Sequence, residues 1–224
     1  MRLAQGECMR EKLRRLLPDY TIRPLACAFA FNLFTYYVTR LITVGAPRYD
    51  LSLKLDGQIP LCTPFIFFYI LAYLQWIVGF IIIARDSRER CAAVLAGEII
   101  AKAICFICFV ALPTSMVRPE IPDGGVWNWL TALIYRLDTP DNLFPSIHCL
   151  ESWMCFRGAI GLKRMPRWYT PSMLVLSLLV AASTVLVKQH VFLDIPAGIL
   201  AAEIGLWLAR RLGLGKRLVG RERA

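Results

Sequence analysis

Charged residues are scarce in this 224-residue chain: they make up 19% of it, whereas hydrophobic residues make up 57%. A soluble globular domain carries about 25% charged residues and fewer apolar ones. The charges also crowd between apolar blocks instead of being spread along the chain. This distribution disfavours a water-soluble helical bundle and indicates an integral membrane protein.

Histidine is scarcer still, with two residues in the whole chain, and the eight cysteines do not form a ligand set. Cys105 and Cys108 have C-x-x-C spacing, but they lie in the middle of an apolar block without a third or fourth ligand nearby. We therefore interpret them as small hydrophobic residues. Only Cys62 lies near the predicted outer surface, which disfavours a disulfide framework. The sequence predicts neither a metal site nor another cofactor.

Six apolar blocks approach the roughly 20 residues that a transmembrane helix needs, and the fourth is the shortest. Internal repeats and low-complexity segments are absent. The sequence therefore predicts one all-α domain over residues 1–224, an integral membrane bundle of six transmembrane helices. The predicted spans are Leu25–Val44, Leu61–Ala84, Ala92–Leu112, Ile147–Ile160, Pro171–Val187 and Val191–Ala209.

The distribution of basic residues predicts the orientation. Most of the 26 lysines and arginines lie before the first span, between spans two and three, between spans four and five, and in the tail. Because basic residues favour cytoplasmic loops, a multi-pass cell-membrane protein is predicted with residues 1–23 and 210–224 both cytoplasmic. No basic patch with interleaved aromatic residues stands apart from these flanks, which disfavours nucleic-acid binding. Cys8 to Tyr20 is a candidate surface helix.

The loop between the third and fourth spans contains a further helical pattern. Apolar residues recur at helical spacing from Val126 to Leu137, accompanied by Trp127, Trp129 and Tyr135. Aromatic residues of this kind are typical of the membrane–water boundary. We predict an interfacial helix here, which either only packs against the bundle or also forms a wall of a lipid-facing entrance.

The two histidines belong to the most informative segments of the chain. His190 is followed four residues later by Asp194, and on a helix these two residues would share one face. The carboxylate can hold one imidazole nitrogen and leave the other as a nucleophile, although a hydrogen bond that only stabilises packing is the alternative. Lys188 precedes the pair and is a candidate for phosphate binding or for snorkelling to the surface.

A second motif, Pro145-Ser146-Ile147-His148, marks the start of the fourth span. Ser146 can cap that helix, and the free amides of the first turn can bind phosphate oxygens. His148 would then lie beside the bound anion, whereas the simpler alternative is a helix start with an interfacial histidine. Arg118 follows the third span, and its guanidinium matches a phosphate group unless it is merely solvated. The predicted topology brings all of these residues to the outer membrane face.

Arg118-Pro119, Pro145-Ser146-Ile147-His148 and Ser183 with His190 and Asp194 together resemble the three motifs of the type 2 phosphatidic acid phosphatase superfamily. The motif resemblance covers about residues 112–198, and its second and third motifs are specific in order and spacing. It implies that His190 attacks phosphorus and becomes a phosphohistidine, and that Asp194 orients it. It also implies that His148 protonates the leaving oxygen, that Arg118 and the Ser146 backbone hold phosphate oxygens, and that no metal takes part.

The chain lacks two basic residues that the family pattern has. Ala111 stands where the first motif has a lysine, and Thr184 stands where the third motif has an arginine. Lys188 is a candidate replacement for one of them. Ile147 replaces the glycine of the second motif, a change that also occurs in the lipid phosphotransferase branch. A phospholipid or polyprenyl phosphate is the expected substrate.

The resemblance thus predicts a metal-independent lipid phosphate or diphosphate phosphatase that acts at the outer membrane face, and three alternatives stay open. The first is a phosphotransferase of the sphingolipid or inositol phospholipid synthase type. The second is a carrier that uses Glu98, Lys102 and Glu203 within the membrane, although Glu98 and Lys102 at (i, i+4) spacing favour a simple internal ion pair. The third is a catalytically inactive relative. Glu151 lies one turn below His148 and is a candidate for supporting the site.

Overall fold

A computed structural model describes residues 17–221 of the chain. Within that range the protein has nine α-helices and no β-strand, and only isolated bridges join its loops. A short 3₁₀ turn, Thr63–Phe65, leads into the third helix. The helices are α1 Asp19–Ile42, α2 Lys54–Gln58, α3 Ile66–Asp86, α4 Arg88–Ala111, α5 Val126–Leu137, α6 Ile147–Ala159, α7 Tyr169–Leu186, α8 Asp194–Arg211 and α9 Leu214–Arg221.

Four of these helices, α1, α3, α4 and α7, are long and apolar enough to cross a membrane. The remaining two predicted spans are helical but differ from the other four. Helix α6 has 13 residues, nine of them buried, and at 1.5 Å per residue it is shorter than the hydrocarbon layer. Helix α8 has 18 residues and carries four charged side chains. The all-helical architecture is confirmed, whereas six crossings remain a prediction.

Helix α4 packs along α8 and α1, and glycine explains how close the first of these contacts is. A Cβ atom added at Gly205 would overlap the carbonyl oxygen of Gly97, so the backbones of α8 and α4 touch. Gly198, further toward the start of α8, approaches α6 in the same way, and a Cβ there would overlap the Ser146 carbonyl oxygen. These contacts bring the starts of α6 and α8 together.

The candidate site residues lie at one end of the bundle, which we call the site end. Helices α1, α4 and α7 finish there, while α3, α6 and α8 begin there. The loops meet at this end: the Cys62 amide donates to the Leu186 carbonyl at 2.8 Å, and the Tyr49 amide donates to the Pro113 carbonyl at 2.9 Å. Helix α5 lies in the loop between α4 and α6, and its membrane location remains a prediction.

An ion cluster lies inside the helix bundle below the site. Lys102 Nζ lies 2.7 Å from Glu98 Oε1, which confirms the internal pair, and it also contacts a carboxylate oxygen of Glu151. All three side chains are buried. Glu151 therefore joins this cluster instead of contacting His148 directly. Glu203 accepts hydrogen bonds from Trp153 Nε1 and from a terminal guanidinium nitrogen of Arg157.

Some predictions fall outside the described residues. Most of the candidate surface helix Cys8 to Tyr20 and most of the predicted cytoplasmic segment 1–23 lie in residues 1–16, and the end of the tail lies in residues 222–224. Residues 19–23 of the N-terminal segment belong to α1, which begins at Asp19. The described part of the tail includes the end of α8 and helix α9.

Candidate active site

The segment between α7 and α8 is a compact turn that places His190. The amides of Gln189 and His190 both donate to the Thr184 carbonyl, at 2.9 and 3.0 Å. Lys188 makes this turn possible because it adopts a left-handed backbone conformation with φ of 53°, as residues that end helices often do. The chain then re-enters a helix at Asp194.

His190 and Asp194 form the predicted pair. The Nδ1 atom of His190 lies 3.0 Å from Asp194 Oδ2, and the same oxygen accepts the Val191 amide at 3.1 Å. The Asp194 side chain is fully buried. The expectation that helical spacing creates this contact is wrong, because His190 precedes α8 and the Asp194 carboxylate instead closes the turn that starts the helix. The pairing still holds Nδ1 and leaves Nε2 of His190 for chemistry.

His148 lies in the first turn of α6 and is packed among aromatic rings of α3. It stacks on Tyr69 with ring centroids 4.0 Å apart, and the edges of Tyr73 and Trp76 also contact it. Its ring centroid lies 6.1 Å from that of His190. The Nε2 atom of His148 is buried and has no partner among the described residues. The two histidines, 42 positions apart in sequence, are therefore neighbours.

Ser146 caps α6 as predicted, since its hydroxyl accepts the Cys149 amide at 3.3 Å. Its own amide is not free, because it donates to the Asp194 carbonyl at 3.2 Å. This bond ties the start of α6 to the start of α8. If first-turn amides bind an anion, those of Ile147 and His148 are the ones that a helix start offers.

Arg118 reaches the histidine turn from the loop after α4. Its guanidinium donates to the Asp138 carbonyl at 2.6 Å and to Gln189 Oε1 at 2.5 Å, and it stacks over the Tyr135 ring at 4.7 Å. The Nε atom of Arg118 has no partner among the described residues. Burial lowers the pKa of Arg118 and raises the pKa of Tyr135 to about 12, so that Tyr135 remains a neutral donor to the Val187 carbonyl.

Lys188 was predicted to bind phosphate, but its side chain points away from the two histidines and Arg118. Its ammonium donates to the carbonyl oxygens of Asp56 and Ile59, at 2.9 and 2.5 Å. It therefore fastens the first long loop to the α7–α8 turn. The side chain points toward that loop because the left-handed conformation of Lys188 turns the chain between Val187 and Gln189.

His148 and His190 line a shared cavity of about 400 Å³. Gln189 also lines it, and its Nε2 atom is buried without a partner among the described residues. Asp138 and Asp141 line the cavity from the loop between α5 and α6, and α1 closes one side of it. Sequence reasoning missed these residues. The only signal was Arg40, a charge within a predicted span, whose partners are the two aspartates at 3.2 and 2.7 Å.

No family model, curated protein or solved structure matches this chain. The resemblance to the phosphatase superfamily therefore rests on the three motifs. Within residues 17–221, no group of three or more His, Cys, Asp and Glu side chains is arranged to hold a metal ion. The site therefore consists of a cavity lined by the two histidines, with Asp194 in contact with His190 and Arg118 in contact with Gln189.

Proposed function

We propose that this protein cleaves a phosphate ester of a membrane lipid through a phosphohistidine on His190, with water as the final acceptor, and is therefore a lipid phosphate or diphosphate phosphatase. The observation that carries the proposal is that His148 and His190 share one cavity while Asp194 holds Nδ1 of His190. An imidazole fixed in this way can use Nε2 as a nucleophile. The second imidazole can serve as acid and then as base.

The proposed reaction has two balanced steps. In the first, Nε2 of His190 bonds to phosphorus, the bond from phosphorus to the lipid oxygen breaks, and protonated His148 gives its proton to that oxygen. In the second, a water oxygen bonds to phosphorus, the phosphorus–nitrogen bond breaks, and His148 takes the proton from water. Gln189 lines the cavity and offers its unpartnered Nε2 donor for the developing charge on the phosphate oxygens, while Arg118, which lies outside the lining, donates to the Oε1 atom of Gln189.

The rim of the cavity supports a lipid substrate. Leu33, Tyr37, Tyr73 and Leu137 all line the cavity, and their exposed fractions range from 40% for Leu33 to 69% for Leu137. These residues belong to α1, α3 and α5, two of which are long and apolar enough to span a membrane. An apolar rim between such helices favours entry of a substrate from the bilayer rather than from water.

The proposed setting is a cell membrane crossed six times, with both termini cytoplasmic and the site end at the outer face. The distribution of basic residues supports this orientation. In this setting α5 lies in the outer interface and forms one wall of the entrance, because Ile134 and Leu137 line the cavity. Accessibility labelling of single cysteines placed in the loops at each end of the bundle would test the orientation.

Trapping of the phosphoenzyme tests the proposed chemistry. Purified protein incubated with a ³²P-labelled aryl phosphate should acquire an alkali-stable, acid-labile label, and His190→Ala should acquire none. His148→Gln should accumulate label, because an aryl oxygen leaves without a proton whereas water attack requires the base. Full turnover by His190→Ala would refute the proposed nucleophile. Glu203→Gln, in the middle of α8 and outside the cavity lining, serves as a matched control.

One observation favours a second candidate, a lipid phosphotransferase. Among the described residues that line the cavity there is no lysine or arginine, whereas two aspartates do line it. A phosphodiester carries less negative charge than a phosphomonoester and suits this lining better. An alcohol on a second lipid would then replace water. Adding a long-chain alcohol to the labelled enzyme would distinguish the candidates, because a transferase should move the label to the alcohol faster than to water.

A further inference from the structure

One side of the cavity carries hydrogen-bond acceptors where a phosphatase for simple phosphates would need donors. We define the acceptor wall as Tyr36 and Tyr37 on α1 together with Asp138, Asp141 and Asn142 from the following loop, all of which line the cavity. Carboxylates can only accept hydrogen bonds when ionised. A phosphate group placed against this wall would meet mostly acceptors and few donors, so the wall must face a different part of the substrate than the phosphate.

The carboxylates of Asp138 and Asp141 each have one oxygen, Oδ2, that can still accept a hydrogen bond from a ligand. Arg40 donates to Asp138 Oδ1 at 3.2 Å and to Asp141 Oδ1 at 2.7 Å, and Tyr36 also donates to Asp138 Oδ1. The Oδ2 atom of Asp138 accepts only a long bond of 3.5 Å from Tyr69, and the Oδ2 atom of Asp141 lies 3.8 Å from Arg48. The two arginines offset the charge from outside the cavity, since neither lines it.

Asn142 provides an independent sign that a donor is missing from the cavity. The residue is 7% exposed, and its Oδ1 atom has no partner among the described residues. The orientation of its amide follows from Thr39, whose hydroxyl donates to the Thr35 carbonyl at 2.6 Å and so must accept the Asn142 Nδ2 hydrogen at 2.9 Å. Oδ1 is therefore a hydrogen-bond acceptor without a donor. Leaving a buried acceptor unpaired costs free energy, which a ligand that supplies an N–H group would recover.

The aromatic residues of the wall add a preference for positive charge. The ring of Tyr36 already holds a cation, because the Arg40 guanidinium lies 4.0 Å from its centroid. Tyr37 contacts Tyr36 edge to face, lines the cavity and is 58% exposed. Aromatic faces beside carboxylates attract ammonium groups.

We propose that the acceptor wall binds a primary ammonium group, so that the substrate is a lipid phosphodiester whose headgroup is an amino alcohol. The carboxylates and tyrosines favour a cation over a neutral polyol, and Asn142 Oδ1 favours an N–H donor over a quaternary ammonium. This inference rests on the proposed cleavage at His190 and, since its substrate is a phosphodiester, it deepens the phosphotransferase candidate instead of the lipid phosphate phosphatase. The phosphohistidine then carries the amino-alcohol phosphate, the lipid alcohol leaves with the proton from His148, and water or a second alcohol takes the headgroup phosphate.

The decisive measurement compares lipids that share acyl chains and differ only in headgroup. Purified protein in nanodiscs is supplied with phosphoethanolamine, phosphocholine, phosphoglycerol or phosphoinositol lipids, or with phosphatidic acid. We expect kcat/KM for the phosphoethanolamine lipid to exceed that for the phosphoglycerol lipid by about tenfold or more, the effect of one favourable ionic contact. Equal rates, or a preference for phosphatidic acid or for the neutral polyol headgroups, would overturn the inference. A preference for phosphocholine would overturn the primary-ammonium assignment.

Two pairs of variants connect that preference to the wall. Asp141→Asn should reduce the ethanolamine-to-glycerol ratio about tenfold, whereas Glu203→Gln, a carboxylate far from the cavity, should leave the ratio unchanged. Tyr37→Leu should reduce the ratio, and Tyr37→Phe should retain it because the ring face remains. Tyr37 is largely exposed, so its variants should fold even if Asp141→Asn does not. A ratio insensitive to Tyr37→Leu and to folded Asp141→Asn would refute the assignment.

The two proposals fail in different ways. If His190 acquires label from an aryl phosphate, which has no ammonium group, while the headgroup preference is absent, only the substrate assignment is wrong. If no label forms on His190 from any substrate, the proposed function is wrong, and the ammonium inference falls with it.

Discussion

Lys102 is the cation of the buried cluster, and we predict that Lys102→Met strongly destabilises the protein. The exposed fractions of Lys102, Glu98 and Glu151 are 1%, 2% and 4%, so solvent does not screen the cluster. One ammonium serves two carboxylates, and the second oxygen of each carboxylate has no partner among the described residues. Removing one partner of a buried ion pair costs roughly 3–5 kcal/mol.

The loss should appear as a lower unfolding temperature. For a chain of this size, each kcal/mol corresponds to about 2–4 °C, which gives a decrease of roughly 6–20 °C. The measurement is thermal unfolding in detergent micelles, followed by tryptophan fluorescence and by loss of the monodisperse peak. The decrease should be similar with and without a substrate analogue, since the cluster lies below the site and does not line the cavity.

A triple variant separates the cost of uncompensated charge from lost packing. Glu98→Gln/Lys102→Met/Glu151→Gln removes all three charges at similar volume, and replacing a whole buried ion cluster is often close to neutral. We therefore expect it to regain most of the stability that Lys102→Met loses. A triple variant no more stable than the single variant would refute the electrostatic reasoning, and a single variant as stable as the wild type would show that the cluster is not buried as described.

Three further predictions concern the site. Asp194→Asn should lower kcat by about 10³–10⁴-fold while the protein remains folded, because the buried carboxylate no longer fixes the His190 tautomer; a change below tenfold would contradict that role. Gly198→Ala should lower the unfolding temperature and activity together, since its methyl group would overlap the Ser146 carbonyl oxygen, at a cost of about 1–3 kcal/mol; retained stability would contradict the close contact. Lys188→Met should raise KM much less than Arg118→Met, because Arg118 donates to Gln189, which lines the cavity, whereas the Lys188 ammonium binds loop carbonyls. Equal effects on KM would contradict this difference.

The sequence predicted the helices well because apolar blocks of this length have few other stable forms. Each predicted span contains or overlaps one observed helix, and the fourth block agrees with α6 within one residue. The boundary error at the sixth block has a specific cause. Val191 was counted as helical because it is apolar, but Asp194 captures its amide and starts the helix three residues later.

The sequence predicted the site less completely. His148, His190, Asp194, Ser146 and Arg118 were predicted, and the structure places them at one end of the bundle, but their catalytic roles remain predictions. Lys188 was also predicted, because a cation close to a histidine in sequence is a natural phosphate ligand. The structure directs its side chain elsewhere because a left-handed residue turns the chain at that position. Backbone handedness at a lysine has no visible signature in sequence.

Gln189, Asp138 and Asp141 were missed for a different reason. Each is an ordinary polar residue in a loop, and its importance comes from a partner far away in the chain. Arg118 donates to Gln189, which is 71 residues away in sequence, and Arg40 donates to Asp141, which is 101 residues away. Such pairs form only when helices bring loops together, so a local pattern cannot indicate them.

The sequence by itself determined the all-helical class, because long apolar blocks must satisfy their backbone hydrogen bonds internally, and it determined which histidines are candidates for chemistry, because only two exist. Only the tertiary structure decided which charges meet, which cations reach the cavity and which acceptors remain unpaired inside it. The physical reason is that the burial of an apolar segment follows from its own composition, which the sequence shows directly. Hydrogen bonds and ion pairs form only between groups about 3 Å apart, and such distances depend on how the helices pack.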